Sequence, residues 1–295
     1  MYRIIPNRSI WLGISAFLVV ASIAMFTIWG LKLGIDFTGG SLLEVKFSQA
    51  TPAVTAIADN LSELKLNSLS IQPADNSTIL RFQETDEGVH QGIISSLKKL
   101  GDLEELSFTA IGPSVGKEMQ QKAIYAIILV LIAISAYIAI AFRHVSKPVA
   151  SWKYGIATLV ALFHDVCIVI GFFAFLGHFY GVEVNTSFVA AVLTVLGFSV
   201  HDTIVVFDRI RENLPKSSGS FEETVNASVN QTLTRSINTS MTVLLVLLCI
   251  TLMGGASIKY FSMALLVGIF FGTYSSIFLA SPFLVIVGQK SKSKK

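Results

Sequence analysis

The chain has 295 residues, of which 53% are hydrophobic and 14% charged, where an ordinary soluble domain carries about 25% charged residues. Its formal charge of +3, from 22 Lys and Arg against 19 Asp and Glu, gives no basic stripe of the kind nucleic-acid binding needs. A conventional soluble enzyme and a DNA or RNA binder are both excluded. Cys167 and Cys249 lie in apolar runs, where a thiol behaves as a small buried hydrophobe, and one pair makes no disulfide framework.

In chain order, six stretches approach the roughly 20 apolar residues needed to cross a hydrocarbon core: Ile10 to Leu31, Ala123 to Phe142, Ile156 to Leu176, Val184 to Phe207, Ser236 to Met253 and Tyr260 to Val287. The first exceeds the apolar core of a secretory signal and reads as a span. Between it and the second, Gly34 to Lys122 has a globular composition. Leu42, Glu44 and Lys46 alternate there with Leu43, Val45 and Phe47, the signature of a half-buried strand. A helix follows from Thr51 to Leu64, with Pro52 near its first turn. Short strands then fit Ser68 to Gln72 and Thr78 to Phe82 around a turn at Asp75 and Asn76, a second helix fits Glu87 to Leu100, and a last strand fits Glu104 to Ile111. The order βαββαβ predicts an α+β ferredoxin-like sandwich. His90 stands alone in it and reads as a surface helix residue.

The basic residues of the short loops set the orientation. Arg143, Lys147 and Lys153, then Arg209, Arg211 and Lys216, then Lys290, Lys292, Lys294 and Lys295 fall on one side. Gly177 to Glu183 has no Lys or Arg, and Gly254 to Lys259 has one. The positive-inside rule places both termini in the cytoplasm and the sandwich outside it. The expected architecture is a polytopic α-helical membrane protein, six transmembrane helices plus an extracytoplasmic ferredoxin-like domain. Its parts are a cytoplasmic N-terminus (1–9), a first helix (10–33), the sandwich (34–122), a five-helix remainder (123–287) and a basic tail (288–295). Ser220 to Thr234 has Phe221, Val225, Val229 and Leu233 at helix period, and Ser220 with Glu223 makes a capping box. It reads as a short amphipathic helix at the cytoplasmic interface.

Ionisable residues inside spans cost at least about 2.5–3.5 kcal/mol at the helix centre and mark functional sites. The third span holds His164 and Asp165, the fourth His201 and Asp202, and the fifth opens with Arg235, then Asn238, Thr239 and Thr242 in one polar stripe. Burial raises a carboxyl pKa and a nearby Arg lowers it, so Asp202 beside a movable Arg235 would take up and release protons. The alternative is a static Asp202–Arg235 ion pair that locks two helices. His164 and Asp165 read equally as a proton relay or as hydrogen-bonding glue between helices. A metal site built from the two His/Asp pairs would need a particular cross-helix geometry. Ala190, Thr194, Gly197 and His201 share one face of the fourth span, and Ala264, Gly268, Gly272 and Ser276 recur in the sixth, the small-residue pattern of close packing.

Four segments, Gly34-Ile35-Asp36-Phe37-Thr38-Gly39-Gly40, Ala161 to Asp165, Phe198 to Asn213 and Asn230 to Ser240, resemble the SecD/SecF family of protein-export subunits, within the resistance-nodulation-division superfamily. The likeness covers nearly the whole chain. It implies a subunit of the bacterial inner membrane that uses the proton-motive force to help complete preprotein export. The implied partners are a separate SecD chain and the SecYEG channel, with SecA upstream and YidC or YajC as further neighbours. Asp202 would be the family's membrane aspartate and Arg235 and Thr239 the fifth-span groups of the proton path. The segment with Asp36, Gly39 and Gly40 would join the first span to the sandwich through a turn or hinge. No cofactor, no metal and no enzymatic reaction is expected. The competing readings are a proton-coupled efflux subunit and a non-conducting scaffold of the translocase; an intramembrane hydrolase lacks the paired motifs it would need.

Overall fold

The computed structural model describes residues 2–49, 51–73, 77–143 and 149–289. The turn at Asp75 and Asn76, Lys147 and the lysines of the tail lie outside the described residues. The chain divides into two compact units, Leu33–Ala123 and the rest.

After α1 (Arg8–Trp29), which belongs to the larger unit, the smaller unit opens with a single helical turn, α2 (Ile35–Thr38). It continues through β1 (Gly40–Phe47), α3 (Val54–Leu61, extended by a 3₁₀ turn to Leu64), β2 (Ser70–Pro73), β3 (Thr78–Phe82), α4 (Glu87–Leu97) and β4 (Leu103–Ile111). The four strands form one sheet in the order β2-β3-β1-β4, every pair antiparallel, with Leu43 opposite both Leu80 and Phe108. This is the ferredoxin-like topology that the βαββαβ order predicts. Leu43, Val45 and Phe47 of β1 face Leu80 and Phe82 of β3 and the apolar stripes Ile57 and Leu61 of α3 and Ile93, Ile94 and Leu97 of α4. Most of β4 is exposed, as expected where helices cover a single face of an antiparallel sheet.

His90 differs from the surface residue expected of it. It is 4% exposed, because it lies three and four residues before Ile93 and Ile94 on the apolar stripe of α4. Its ring stacks on Phe108 at 3.8 Å between centroids, with Nδ1 3.0 Å from Glu87 and Nε2 3.2 Å from Glu105. Glu87 also accepts from Gln91 at 2.7 Å. These hydrogen bonds, Gln91's first, hold the Glu87 carboxyl below the usual carboxylate range.

Gly39 and Gly40 are fixed by sterics. Both have positive φ, +75° and +118°. A Cβ on Gly39 would sit 2.7 Å from Pro113 Cα, and one on Gly40 2.7 Å from the Phe82 carbonyl oxygen, so only glycine fits.

The larger unit takes in α1, the later part of α5 (Pro113–Ala141), α6 (Ser151–Tyr180), α7 (Thr186–Asn213), α8 (Phe221–Met253), α9 (Ala256–Ser275) and α10 (Ser281–Gln289). Among the described residues six helical segments are long and apolar enough to cross a membrane. α5 begins ten residues ahead of the expected span, with Pro113 as its first residue, where a missing N–H costs nothing. The separate amphipathic helix expected at 220–234 is instead the beginning of α8. Its capping box forms, with Ser220 N donating to Glu223 at 2.8 Å and Glu223 N donating to Ser220 at 3.2 Å, and no Gly or Pro between Thr234 and Ser236 interrupts the helix.

The polar residues of this part of α8 hold other segments in place. Asn226 and Asn230 hydrogen-bond Tyr2 and Ile5, Glu222 pairs with Arg8 at 2.7 Å, and Gln231 receives Arg209 and Asn213. The sixth span is divided by a π turn, Ser276–Ala280. Pro282, which has no N–H to give, lies just beyond it, and the Ser281 hydroxyl donates to the Ser276 carbonyl five residues back.

Close helix approach follows the glycines. A Cβ on Gly171 of α6 would sit 2.5 Å from Ser22 of α1, and Cβ atoms on Gly268 and Gly272 of α9 would collide with Val195 and Ser199 of α7. The small-residue stripe of the sixth span is thus a packing face. That of the fourth span is not: Ala190, Thr194, Gly197 and His201 are exposed. Cys249 is exposed too, against the expectation of a buried thiol.

Candidate functional site

The helices of the larger unit bury two carboxyl groups. Asp165, on α6, is fully buried and its neighbour His164 is 1% exposed. Asp165 Oδ1 lies 2.9 Å from His164 Nδ1, and Oδ2 accepts from the hydroxyls of Ser199 on α7 at 2.6 Å and Ser275 on α9 at 2.9 Å. Adjacent helix residues normally diverge, but here the imidazole folds back onto the carboxyl of its own neighbour.

Asp202, one turn beyond Ser199 on α7, is 3% exposed. The Ser240 hydroxyl of α8 donates to its Oδ2 at 3.4 Å and lies 2.6 Å from the Thr273 hydroxyl of α9. Both carboxyls therefore lean on α9, through Thr273 for Asp202 and Ser275 for Asp165. Ser276, the next residue, contacts Thr203 at 2.8 Å and donates to the Ser199 carbonyl at 3.2 Å. The π turn begins at this point, and such turns concentrate at functional sites.

The groups expected to accompany Asp202 stand elsewhere. Arg235 and Asp202 form no ion pair among the described residues. Arg235, Asn238, Thr239 and Thr242 are all exposed. The residues that α8 turns inward are Thr232, Ser236 and Ser240, spaced by four and about 100° around the helix from the exposed stripe. His201 also faces outward, on the exposed small-residue face of α7. Sequence reasoning overlooked Ser199, Ser240, Thr273 and Ser275, since a hydroxyl within an apolar run is an ordinary feature of a membrane helix. The available signal was the repeat of four in Thr232, Ser236 and Ser240. Asp36 is the second residue of α2 in the smaller unit, which is followed by the locked pair Gly39 and Gly40. No group of three or more His, Cys, Asp or Glu among the described residues has the arrangement of a metal site.

Six membrane-length helices with a small antiparallel α+β unit inserted after the first, and carboxyls buried among hydroxyls, define a multi-pass membrane protein of the transport type. The family model of the SecD/SecF protein export membrane protein, C-terminal part, matches residues 92–290, and that of the SecD/SecF GG motif matches residues 23–51. The protein translocase subunit SecF of Thermobaculum terrenum is 42% identical, over 97% of this chain and 93% of that one, and its counterpart in Anaerolinea thermophila is 39% identical over 97% and 94%. The crystal structure of SecDF, a translocon-associated membrane protein from Thermus thermophilus, superposes with a TM-score of 0.85 at 30% identity. That alignment takes in 97% of this chain but only 38% of the SecDF chain. The chain belongs to the SecD/SecF family.

Proposed function

We propose that this chain is the SecF-type subunit of the bacterial Sec translocase, and that proton passage at Asp202 drives the movement by which it helps complete preprotein export. The observation that carries this reading is a carboxyl at 3% exposure in the bundle, met by hydroxyl groups and, among the described residues, without a direct cationic partner. A carboxyl so placed can exist as the neutral acid. Each proton crossing 100 mV supplies about 2.3 kcal/mol, enough to bias a conformational equilibrium more than tenfold. The work is mechanical, with no covalent catalysis and no cofactor.

The partner of this reading is a separate SecD-type chain. Lipid would leave Arg235, Asn238 and Thr239 unsatisfied, whereas a second helical bundle could receive them, and the exposed small residues of α7 would let its helices approach closely. The long SecDF chain, of which this one matches only part, supports the pairing. SecYEG, SecA and YidC or YajC are the further partners implied by family membership. The basic residues Arg143, Lys153, Arg209, Arg211 and Lys216 support an inner-membrane orientation with both termini cytoplasmic.

The test compares Asp202→Asn with Asp202→Glu in inverted membrane vesicles, following export of a reporter preprotein with and without a proton-motive force. The Asn variant should assemble with its partner yet lose the force-dependent stimulation, and the Glu variant should keep part of it. A fully active Asn variant would leave the chain a scaffold.

A further inference from the structure

We propose that His164 and Asp165 form a second proton-binding site, in which His164 Nε2 takes up one proton while Asp165 stays ionised, coupled to Asp202 through hydroxyls on α7 and α9. The coupling rests on the reading of Asp202 given above; the site itself rests on its own geometry. Ser199 and Ser275 give their hydroxyl protons to Asp165 Oδ2, and His164 Nδ1 lies 2.9 Å from Oδ1. The imidazole faces an ionised carboxyl that already holds two hydroxyl donors, so we assign its hydrogen to Nδ1. A neutral imidazole with its hydrogen on Nδ1 has a lone pair at Nε2, and Nε2 is buried with no hydrogen-bond partner among the described residues. An acceptor without a donor beside a carboxylate is a place for a proton.

Uptake forms one N–H bond at Nε2 and breaks none in the protein. The proton comes from hydronium in the aqueous phase or from the protonated carboxyl of Asp202, and the pair passes from one net negative charge to a neutral ion pair.

Among the described residues the packing elements bring no ion-pair partner to it, and the Tyr154 and Cys167 side chains of α6 add no positive charge. α1 brings Ser15, and α9 brings Tyr274, whose ring stacks on His164 at 6.0 Å and whose hydroxyl is engaged by Ser15 and the Trp11 carbonyl. α7 brings Ser199, with Asp202 the nearest titratable group one turn on and His201 turned outward. α5 meets α6 at Ser135 and Ala139, and the π turn and α10 carry no titratable side chain. On α6 itself, Lys153 donates to the Val287 carbonyl and His178 stacks on Trp29.

Coupling runs along α9, which carries hydroxyls serving each carboxyl two residues apart. Ser275 can donate to Asp165 at 2.9 Å or to its own helix at Gly272 O, 3.1 Å away, and Thr273, two residues earlier, contacts the Ser240 that serves Asp202. A change of charge at one carboxyl thus alters the donors available to the other.

The experiment is nitrogen NMR on histidine-labelled full-length chain, reconstituted in nanodiscs with its SecD-type partner, across a pH titration. Loss of one resonance in His164→Asn identifies the residue among the five histidines. The expected result is conversion of His164 from the neutral Nδ1–H form to the doubly protonated ring, with a midpoint that moves in Asp202→Asn and again in Ser275→Ala, a variant that removes a donor and little volume. A His164 ring that keeps one neutral tautomer throughout would overturn the site. A midpoint indifferent to Asp202→Asn would overturn the coupling. Titration of His164 alongside undiminished export by Asp202→Asn would uphold this site while removing the reading of Asp202.

Discussion

Gly39→Ala is expected to unlock the sandwich unit. Gly39 has φ +75° and ψ 171°, a region essentially reserved for glycine and costing another residue about 1–3 kcal/mol. The added methyl would lie 2.7 Å from Pro113 Cα and 2.9 Å from its nitrogen, where ordinary contact begins at 3.4 Å. Both neighbours are backbone, so α2 must move away from the start of α5, and overpacking of this kind adds about 1–3 kcal/mol. One backbone shift relieves part of both, which leaves a net loss of about 2–4 kcal/mol. That is about 30-fold to several hundred-fold faster opening of the unit at ten-fold per 1.4 kcal/mol. Hydrogen exchange of the β1 amides of the full-length chain in nanodiscs reads it directly. Gly112→Ala is the control, because a Cβ there meets nothing within 4 Å and should be neutral or slightly stabilising. Indistinguishable protection in the two variants would refute the argument from backbone geometry.

Three further outcomes follow from the packing and the charges. Gly268→Leu should abolish recovery of folded chain from membranes, since the side chain meets Val195, whereas Gly197→Leu enters open space and should fold normally but fail to co-purify with a SecD-type partner; retained co-purification would place the partner on another face. Hydrogen bonds from Gln91 and His90 lower the Glu87 pKa below its usual 4.5, so its stabilisation is present above that value and fades as pH falls through the folded pKa. The stability difference between wild type and Glu87→Gln, measured on the intact chain, should accordingly vanish in acid, and a difference independent of pH would contradict it. Ser220→Ala removes the capping box of α8 and should cost about 1 kcal/mol, visible as faster exchange in its first turn but not around Ser240.

The number and placement of the spans were readable because apolar length is a signal that tertiary context cannot easily disguise, and the sandwich because Leu43, Val45 and Phe47 alternate within a βαββαβ order of short elements. What was misread has a common cause. Each helix face was assigned from its own sequence, without the helices around it. The conspicuous polar stripe of α8, Arg235 with Thr239, was assigned to the interior and lies outside, while the modest Ser236 and Ser240 lie within. The small-residue faces of α7 and α9 look alike in sequence, yet only the second packs inside the chain. The burial of His90 is invisible in sequence because its partners Phe108, Glu87 and Glu105 come together only in the fold. The amphipathic stretch and the fifth span are one helix because a change of composition is not a break in the backbone, which requires Gly, Pro or a cap.

The most direct test of the account is infrared difference spectroscopy on the full-length chain, reconstituted with its partner, as the pH is lowered. A carbonyl band of a protonated carboxylic acid should grow in, and it should be missing from Asp202→Asn. The same band present at full strength in Asp202→Asn, or no protonated-acid band in the wild type at any pH at which the complex stays folded, would contradict the claim that Asp202 carries the proton.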